Sequence, residues 1–200
     1  MTPAIFLNTV IYPACSGDEK IISAFAQVDR ALFLQEPMRH MAYVDKAVPI
    51  GYEQTLSQPS LVAYMLKQLD CAEMESCLEI GAGSGFVAAL LSKLVKYVYA
   101  VELRPELAEG AREKIRSLYI TNAKISCGDG TKGWEKFAPY DRIIVSAGAK
   151  SIPEKLVAQL KDGGVMLIPL NNSLTKIEKK GGELTQKALT AVAFVDFVGT

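Results

Sequence analysis

Histidine and cysteine, the side chains from which metal sites and many catalytic sites are built, are scarce in this 200-residue sequence. There is one histidine, His40, and the four cysteines include no C-x-x-C pair. A zinc site is therefore not expected, and we predict no bound metal. Cys77 and Cys127 fall within predicted strands, so we expect both thiols to be buried as small apolar groups. Reduced cysteines favour a cytoplasmic protein.

An excess of either charge is also missing, as are long apolar runs. Lysine plus arginine number 22 and aspartate plus glutamate number 22, so the formal net charge is zero. This balance gives no electrostatic basis for non-specific nucleic-acid binding, and no stretch approaches the ~20 apolar residues of a membrane span. Residues 1–17 carry no charged side chain, but they lack the basic start of a signal peptide and contain Pro3 and Pro13. We expect this segment to pack on the rest of the protein. For the protein as a whole we expect no nucleic-acid or membrane partner.

Short β-branched segments alternate with helical patterns along most of the chain, which is typical of a parallel α/β sheet. Near the end the pattern changes. Residues 174–179 and 189–198 flank a Lys-Gly-Gly turn and predict an antiparallel hairpin at the sheet edge. The expected fold class is therefore α/β, a Rossmann-like, doubly wound, mostly parallel sheet with an antiparallel C-terminal hairpin.

The most informative stretch is E-I-G-A-G-S-G at residues 79–85, which follows a short apolar run and precedes the helical pattern near Phe86. Its glycines let the backbone turn sharply and bring N–H groups close to a ligand, at the N-terminus of the next helix. A dinucleotide site would have G-x-G-x-x-G, with its last glycine where Phe86 stands. Here Glu79 instead places a carboxylate beneath the turn, where it would repel a pyrophosphate. The pattern favours a nucleoside with a cationic or zwitterionic tail, namely S-adenosylmethionine.

Further polar side chains follow the other predicted strands, at the edge where ligands bind in open α/β sheets. Glu102 has about the ~20-residue separation from Glu79 that is typical of an acid binding the two ribose hydroxyls. The alternative for Glu102 is a solvated charge at a strand end. Asp129, between two glycines, could accept from the adenine amino group or could form an Asx turn. Ser146 ends the next strand, so all these side chains are expected at one edge.

Two longer motifs are more specific. The first is P-I-G at residues 49–51 followed by Q-T-L-S-Q-P at 54–59, and the second is G-D-G-T-K-G-W at 128–134 followed by A-P-Y-D at 138–141. With them the chain resembles the protein-L-isoaspartate O-methyltransferases, a family of class I S-adenosylmethionine-dependent enzymes. The resemblance implies methylation of the α-carboxyl of L-isoaspartyl residues in damaged proteins and peptides, which begins their repair. The product of the cofactor would be S-adenosyl-L-homocysteine.

The same resemblance assigns roles to individual side chains. The family's functional serine falls on Ser57, and Thr55 and Gln58 beside it are expected to bind substrate. The family's ribose-binding acid falls on Glu102, and its adenine-side acid falls on Asp129. The full cofactor-binding set expected on this basis is Glu79, Gly81, Ala82, Gly83, Gly85, Glu102, Leu103, Asp129, Gly130 and Ser146.

The resemblance further implies one methyltransferase domain over residues 1–200. A helical and loop segment at 1–70 would lie on the substrate side, and an α/β core at 71–200 would bind the cofactor. A carboxylate acceptor with a pKa near ~4 is already ionised at neutral pH, so no general base is needed. Ser57 would hold that acceptor by a hydrogen bond, although a serine before Pro59 would on its own more often cap a helix. We expect a monomer.

Two other functions stay open from the sequence. Residues 169–172 lead almost directly into the hairpin, where the family usually has a longer loop near its peptide substrate, so the acceptor could instead be a small molecule or a tRNA. An amine or hydroxyl acceptor would need a base that the motifs do not supply. The second alternative is a non-catalytic module that keeps the fold and binds the cofactor, which the complete set of glycines and acids disfavours.

Overall fold

A seven-stranded sheet forms the centre of this computed structural model, which describes residues 1–197 and 199. Its spatial order is β5-β4-β3-β6-β7-β8-β9, parallel from β5 to β7 and antiparallel from β7 to β9. A separate two-stranded antiparallel hairpin, β1–β2, precedes the sheet. The expected α/β fold with a mostly parallel sheet and a C-terminal hairpin is therefore confirmed. The strands are β1 Val48–Gly51, β2 Gln54–Leu56, β3 Ser76–Ile80, β4 Tyr97–Glu102, β5 Ala123–Cys127, β6 Tyr140–Val145, β7 Leu160–Leu170, β8 Ser173–Lys180 and β9 Glu183–Ala191.

Helices flank the sheet, and their ends follow local sequence signals. Asp18 caps α3 by accepting hydrogen bonds from the N–H groups of Lys20 and Ile21. Pro59 and Pro105 each occupy the first turn of a helix, where a missing N–H costs little. The α-helices are α1 Pro3–Phe6, α2 Tyr12–Ala14, α3 Glu19–Gln27, α4 Pro59–Leu69, α5 Phe86–Leu91, α6 Pro105–Ser117 and α7 Glu154–Gln159; a π-turn at Leu7–Ile11 joins α1 to α2, and 3₁₀ turns lie at Arg30–Phe33, Glu36–Met41, Gly130–Lys132 and Glu135–Phe137.

The residues before the sheet pack into the same hydrophobic cluster as the sheet itself. Phe6, Ile11 and Cys15 are buried in a cluster that also contains Phe86 of α5 and Cys77 of β3. The expectation that the uncharged N-terminal segment packs on the protein is confirmed. No helix within residues 1–197 and 199 is long and apolar enough to cross a membrane.

The second strand of the C-terminal hairpin was placed wrongly by the sequence pattern. Gly181 and Gly182 both have positive φ and form a two-residue turn, so Lys180 pairs at once with Glu183. The partner strand then ends at Ala191, opposite Ser173 where β8 begins. Residues 192–197 leave the sheet, although their apolar, β-branched sequence resembles a strand. Val198, the last residue of the predicted strand, lies outside the described residues.

The two cysteines predicted to be buried differ in the structure. Cys77 lies inside β3 and is fully buried, as expected, whereas Cys127 at the end of β5 is exposed. Because β5 is an edge strand of the sheet, its last residue has no strand on its outer side to cover it. The prediction for Cys127 is therefore wrong.

Candidate functional site

One cavity lies at the carboxyl ends of the central strands, where the strand order changes direction between β3 and β6. The backbone there is tied together across strands. Gly81 N donates to Val101 O at 2.8 Å, and Ser146 N donates to Ile80 O at 2.8 Å. The ends of β3, β4 and β6 therefore hold one side of the cavity in a fixed register.

Most of the residues predicted from the sequence line this single cavity. Two do not, namely Gly85 and Asp129. The predicted residues that line the cavity are Thr55, Ser57, Gln58, Glu79, Gly81, Ala82, Gly83, Glu102, Leu103, Gly130 and Ser146. The structure thus brings the loop that carries Ser57 and the glycine turn to one cavity, and the roles predicted for their residues stay predictions.

The glycine turn needs its glycines for two different reasons. Gly83 has φ +54°, and a Cβ there would lie 3.2 Å from Ile50 Cδ1, so the turn sits tightly against the β1–β2 hairpin. Gly85 has φ +89°, and a Cβ there would lie 3.1 Å from Ala111 Cβ of α6. Gly85 therefore allows α5 to approach α6 and does not face the cavity.

Glu102 fixes the shape of the turn through both of its carboxylate oxygens. Oε2 accepts from Gly83 N at 2.7 Å, and Oε1 accepts from Arg104 N at 2.9 Å. The residue is 5% exposed. Each carboxylate oxygen has two acceptor positions, so Glu102 can also accept hydrogen bonds from a ligand diol while it holds these two amides. The predicted ribose role is compatible with this second, structural one.

Glu79 and Ser84 leave unpaired polar atoms in the wall of the cavity. Glu79 is 1% exposed and Ser84 is 3% exposed. Glu79 Oε2 and Ser84 Oγ have no hydrogen-bond partner among the described residues, although both are buried. Burial raises the pKa of Glu79 well above its usual value, and the negative charge of Glu102 adds to the effect. Unpaired buried acceptors of this kind suit a ligand that brings donors and positive charge.

The ammonium and sulfonium groups of S-adenosylmethionine carry positive charge, and its ribose carries two vicinal hydroxyls. Glu79 offers an unpaired acceptor to the first, and Glu102 offers spare lone pairs to the second. Gly81, Ala82 and Gly83 of the turn line the same cavity, while their N–H groups donate to Val101 O and to Glu102 Oε2 within the protein. The residues present therefore fit the cofactor that the glycine pattern predicted.

The sequence predicts that Asp129 contacts adenine. In the structure, Asp129 lies outside the cavity lining. Its Oδ1 accepts from Thr131 N at 2.9 Å and from Thr131 Oγ1 at 2.6 Å, which is the geometry of an Asx turn. Oδ2 is 3.2 Å from Lys132 Nζ. Gly199 also lies beside the carboxylate, since a Cβ on Gly199 would be 3.0 Å from Asp129 Oδ1. The turn alternative describes this geometry, and the adenine role stays a prediction.

Ser57 belongs to the short loop between β2 and α4. Gln58 holds the N-cap position of α4 without a side-chain cap bond of its own, and Asp45 Oδ1 accepts from Ser60 N in the first turn, so Ser57 is not used as a cap. Within residues 1–197 and 199 the Ser57 hydroxyl makes no hydrogen bond, whereas its carbonyl accepts from Arg30 Nη2 at 3.2 Å. Gln58 Nε2 donates to Ser60 Oγ at 3.1 Å, and Thr55 is exposed. The serine thus offers a free hydroxyl to the cavity.

Several lining residues were not expected from the sequence. They include Ser84 in the glycine turn, Arg104 two residues after Glu102, and the tail 193–197, which runs beside the end of β6. Gly148 N donates to Val195 O at 2.7 Å, and Phe197 N donates to Gly148 O at 2.9 Å. No short motif predicts the contact between this tail and Gly148, because the contact depends on where the hairpin ends. His40 is exposed and is absent from the lining.

Comparisons with known proteins agree over nearly the whole chain. A sequence profile of the family "Protein-L-isoaspartate(D-aspartate) O-methyltransferase (PCMT)" matches residues 7–200. A protein-L-isoaspartate O-methyltransferase from Dictyoglomus turgidum is 46% identical over 185 residues, covering 90% of this chain and 84% of the relative. A protein-L-isoaspartate O-methyltransferase from Parvibaculum lavamentivorans is 42% identical over 188 residues, covering 90% of this chain and 85% of the relative. The match includes the N-terminal segment as well as the glycine turn.

A solved structure extends this likeness to the fold. It comes from Plasmodium falciparum and is described as a candidate protein-L-isoaspartate O-methyltransferase in complex with S-adenosyl-L-homocysteine. Its TM-score is 0.86 at 26% sequence identity, and the superposition covers 98% of this chain and 97% of that one. The fold is therefore shared over nearly the full length of both chains.

Proposed function

Because the chain belongs to the protein-L-isoaspartate O-methyltransferase family, we propose that it methylates the α-carboxyl of L-isoaspartyl residues in damaged proteins and peptides, with S-adenosylmethionine as methyl donor. The observation that carries this proposal is the convergence of Ser57, Glu79 and Glu102 on one cavity. These residues lie in three separate segments of the chain. The cavity therefore contains both the Ser57 hydroxyl, which is suited to hold an acceptor, and the Glu79 and Glu102 carboxylates, which are suited to hold a cationic nucleoside.

The cofactor half of the site works by complementing charge and hydrogen bonds. When bound, S-adenosylmethionine supplies a methyl group that is activated by its positively charged sulfur. Glu79 would face the positive end of the ligand, and Glu102 would accept from the ribose hydroxyls while it keeps Gly83 and Arg104 in place. Gly81, Ala82, Leu103, Gly130 and Ser146 complete the wall around them.

The acceptor half needs positioning more than proton transfer. An isoaspartyl carboxyl is ionised at neutral pH, so it can act as a nucleophile without a general base. The free Ser57 hydroxyl would donate a hydrogen bond to one carboxylate oxygen and leave the other directed at the cofactor side. Orientation of this kind contributes up to ~7–11 kcal/mol in well-ordered systems. Thr55 and Gln58 would shape the loop around the substrate.

One observation favours a second acceptor class. Asp196 lines the cavity and has no hydrogen bond or ion pair within residues 1–197 and 199. A carboxylate in that place could take a proton from an amine or a hydroxyl acceptor, the role for which the motifs supplied no base. A small molecule or an RNA would then be the acceptor. The Asp196→Asn variant separates the two cases, because it should abolish transfer to such an acceptor and leave transfer to a carboxylate intact.

The deciding experiment compares two peptides that differ by one linkage. A peptide with one L-isoaspartyl residue and its normal aspartyl counterpart are incubated with labelled S-adenosylmethionine and the purified chain. The proposal expects label in the isoaspartyl peptide alone, and the label should be lost in mild base because a methyl ester hydrolyses there. Equal labelling of both peptides, or tight cofactor binding with no transfer to either, would contradict it.

The cellular setting completes the proposal. Four cysteines without disulfides suit a reducing compartment, and we place the protein in the cytoplasm as a monomer that acts on damaged proteins and not on nucleic acid. Gel filtration of the purified chain tests the oligomeric state directly.

A further inference from the structure

Arg30 is an arginine buried in the substrate-side segment. It begins the 3₁₀ turn Arg30–Phe33 and is 1% exposed. Burial lowers the pKa of Arg30 from 12.5 to about 10, although the negative charge of Asp45 opposes the effect, so the guanidinium stays protonated at neutral pH. Burying a cation is costly unless hydrogen bonds compensate for the lost water. The residue must therefore be fixed by strong partners.

Those partners are backbone carbonyls from two segments, residues 41–46 and Ser57. Arg30 Nη1 donates to Met41 O at 3.2 Å and to Ala42 O at 2.9 Å, and Nη2 donates to Lys46 O at 3.1 Å and to Ser57 O at 3.2 Å. No carboxylate lies within ion-pair distance of Arg30 in the described part of the chain. An apolar side chain in this place would leave four carbonyls without their donor, so the arginine joins the 41–46 loop to Ser57.

The geometry of the guanidinium explains the choice. Its planar fork holds several acceptors in fixed directions, and one of them is the carbonyl of Ser57. Fixing that carbonyl fixes the plane of the following peptide bond, and with it the direction of the Ser57 side chain. On the other side of the same loop, Asp45 Oδ1 accepts from Ser60 N at 2.9 Å. Arg30 at Ser57 and Asp45 at Ser60, in the first turn of α4, thus hold the short loop between β2 and α4 at both of its ends.

We propose that Arg30 is a positioning residue for methyl transfer, which aims the Ser57 hydroxyl into the cavity by holding the Ser57 carbonyl against the carbonyls of the 41–46 loop. Arg30 itself is absent from the cavity lining, so it acts through Ser57. The inference rests on the proposed role of Ser57 in holding the acceptor carboxylate. The inference adds to that role an explanation of how Ser57, on a short loop, keeps one orientation.

The variant Arg30→Lys tests this role, because lysine keeps the charge and loses the fork. Its single ammonium cannot reach four carbonyls, so residues 54–58, which form β2 and the loop that follows it, should move more freely. Misplacing a reacting group by ~1 Å from a remote substitution costs up to about 100-fold, and we expect kcat/KM for an isoaspartyl peptide to fall by about 10- to 100-fold, and by no more than the loss in Ser57→Ala. Cofactor affinity, measured by calorimetry, should stay unchanged. Hydrogen exchange should rise at 42–47 and 54–58 and not at 79–85.

Arg142→Lys is the matched control. Arg142 also donates to backbone carbonyls, those of Leu69, Asp70 and Asp141, and it lies outside the cavity lining. The same substitution there should leave peptide kinetics and loop exchange unchanged. A loss of activity in both variants would mean that the effect is general destabilisation, and it would overturn the inference.

A double-mutant cycle separates positioning through Ser57 from other effects. If Arg30 acts through Ser57, then Arg30→Lys should cost almost nothing further in a Ser57→Ala background. Additive losses would overturn the inference, and so would unchanged exchange at 54–58. If Arg30→Lys does not fold, Asp45→Ala loosens the same loop from an exposed position and should give a smaller loss in the same direction.

Failure of the proposed function can be distinguished from failure of the positioning role of Arg30. Should the wild-type chain fail to methylate the isoaspartyl peptide, the proposed function fails, and the hydrogen-exchange comparison alone decides whether Arg30 orders the Ser57 loop. Should the wild-type chain be active and Arg30→Lys match it, only the positioning role fails.

Discussion

The two halves of the cavity are held in shape by different kinds of contact. On the cofactor side, neighbouring strand ends and the glycine turn bond to one another through backbone amides and the Glu102 carboxylate. On the acceptor side, Ser57 sits on a loop whose carbonyl is held by Arg30, 27 residues away. The first half is fixed by a short motif and the second by a remote side chain. Substitutions should therefore separate cofactor binding from methyl transfer.

The largest effect is expected on the cofactor side, for Glu102→Ala. This change removes the acceptor for both Gly83 N and Arg104 N, together with the predicted acceptor for the ribose. Hydrogen bonds to a charged group contribute about 1.5–3 kcal/mol each, so cofactor affinity should fall by about 100-fold or more in calorimetry. Glu106→Ala is the control, since Glu106 is exposed in the first turn of α6 and outside the cavity. Similar losses in the two variants would refute the dual role of Glu102.

On the acceptor side, Ser57→Ala should produce the opposite pattern. Removing the hydroxyl deletes one hydrogen bond to the acceptor carboxylate, which is worth about 10- to 100-fold in turnover, while the cofactor keeps all its contacts. Steady-state kinetics with an isoaspartyl peptide and calorimetry with the cofactor measure the two quantities. Ser117→Ala, which changes an exposed serine at the end of α6 and outside the lining, should change neither. A parallel loss of turnover and cofactor affinity in Ser57→Ala would show that the two halves are not separable.

The same contrast explains how far the sequence could predict the structure. The glycine turn and the alternation of strands and helices are local patterns, and the helix expected near Phe86, directly after the turn, begins at that residue. The second hairpin strand was misplaced because its start depends on the two-residue turn at Gly181 and Gly182, which fixes the pairing before side-chain preference can act. Strand-like residues beyond Ala191 then have no partner left on β8.

The acceptor side was harder to predict because its contacts join distant residues. Nothing around Arg30 in the sequence indicates that its guanidinium reaches the carbonyls of Lys46 and Ser57. Asp129 shows the converse, since a motif predicts its place at the cofactor and no motif shows that its Oδ1 accepts from its own neighbour Thr131. A motif identifies residue types, whereas the direction of a side chain depends on contacts that only the folded chain supplies.

A moderate, pH-dependent effect is expected for Glu79→Gln. The unfolded chain ionises this carboxyl near pH 4.5, whereas burial beside Glu102 raises its pKa in the folded protein. The folded state therefore binds more protons above pH 4.5, and its stability declines as the pH rises from there towards the folded-state pKa, with a limiting slope of about 1.4 kcal/mol per pH unit. Glutamine cannot ionise, so the variant should gain stability over the wild type as the pH rises.

Denaturant unfolding of the cofactor-free protein between pH 4.5 and 8 measures this difference. The same variant should bind the cofactor more weakly, because it loses the negative charge opposite the positive end of the ligand. Glu106→Gln, which changes an exposed acid, should show no growth of the difference with pH. A stability difference for Glu79→Gln that stays constant with pH would mean that Glu79 titrates normally.

The smallest effect compares one substitution at two glycines. Gly110 lies inside α6, and a Cβ added there would meet no atom within 4 Å, so Gly110→Ala should stabilise the protein by about 0.5–1 kcal/mol through helix propensity. Gly83→Ala should destabilise it instead, because φ is +54° and the new Cβ would lie 3.2 Å from Ile50 Cδ1. Thermal unfolding measures both. Cofactor affinity should fall for Gly83→Ala alone, since only that glycine shapes the turn, and a stabilised Gly83→Ala would show that the turn tolerates a side chain.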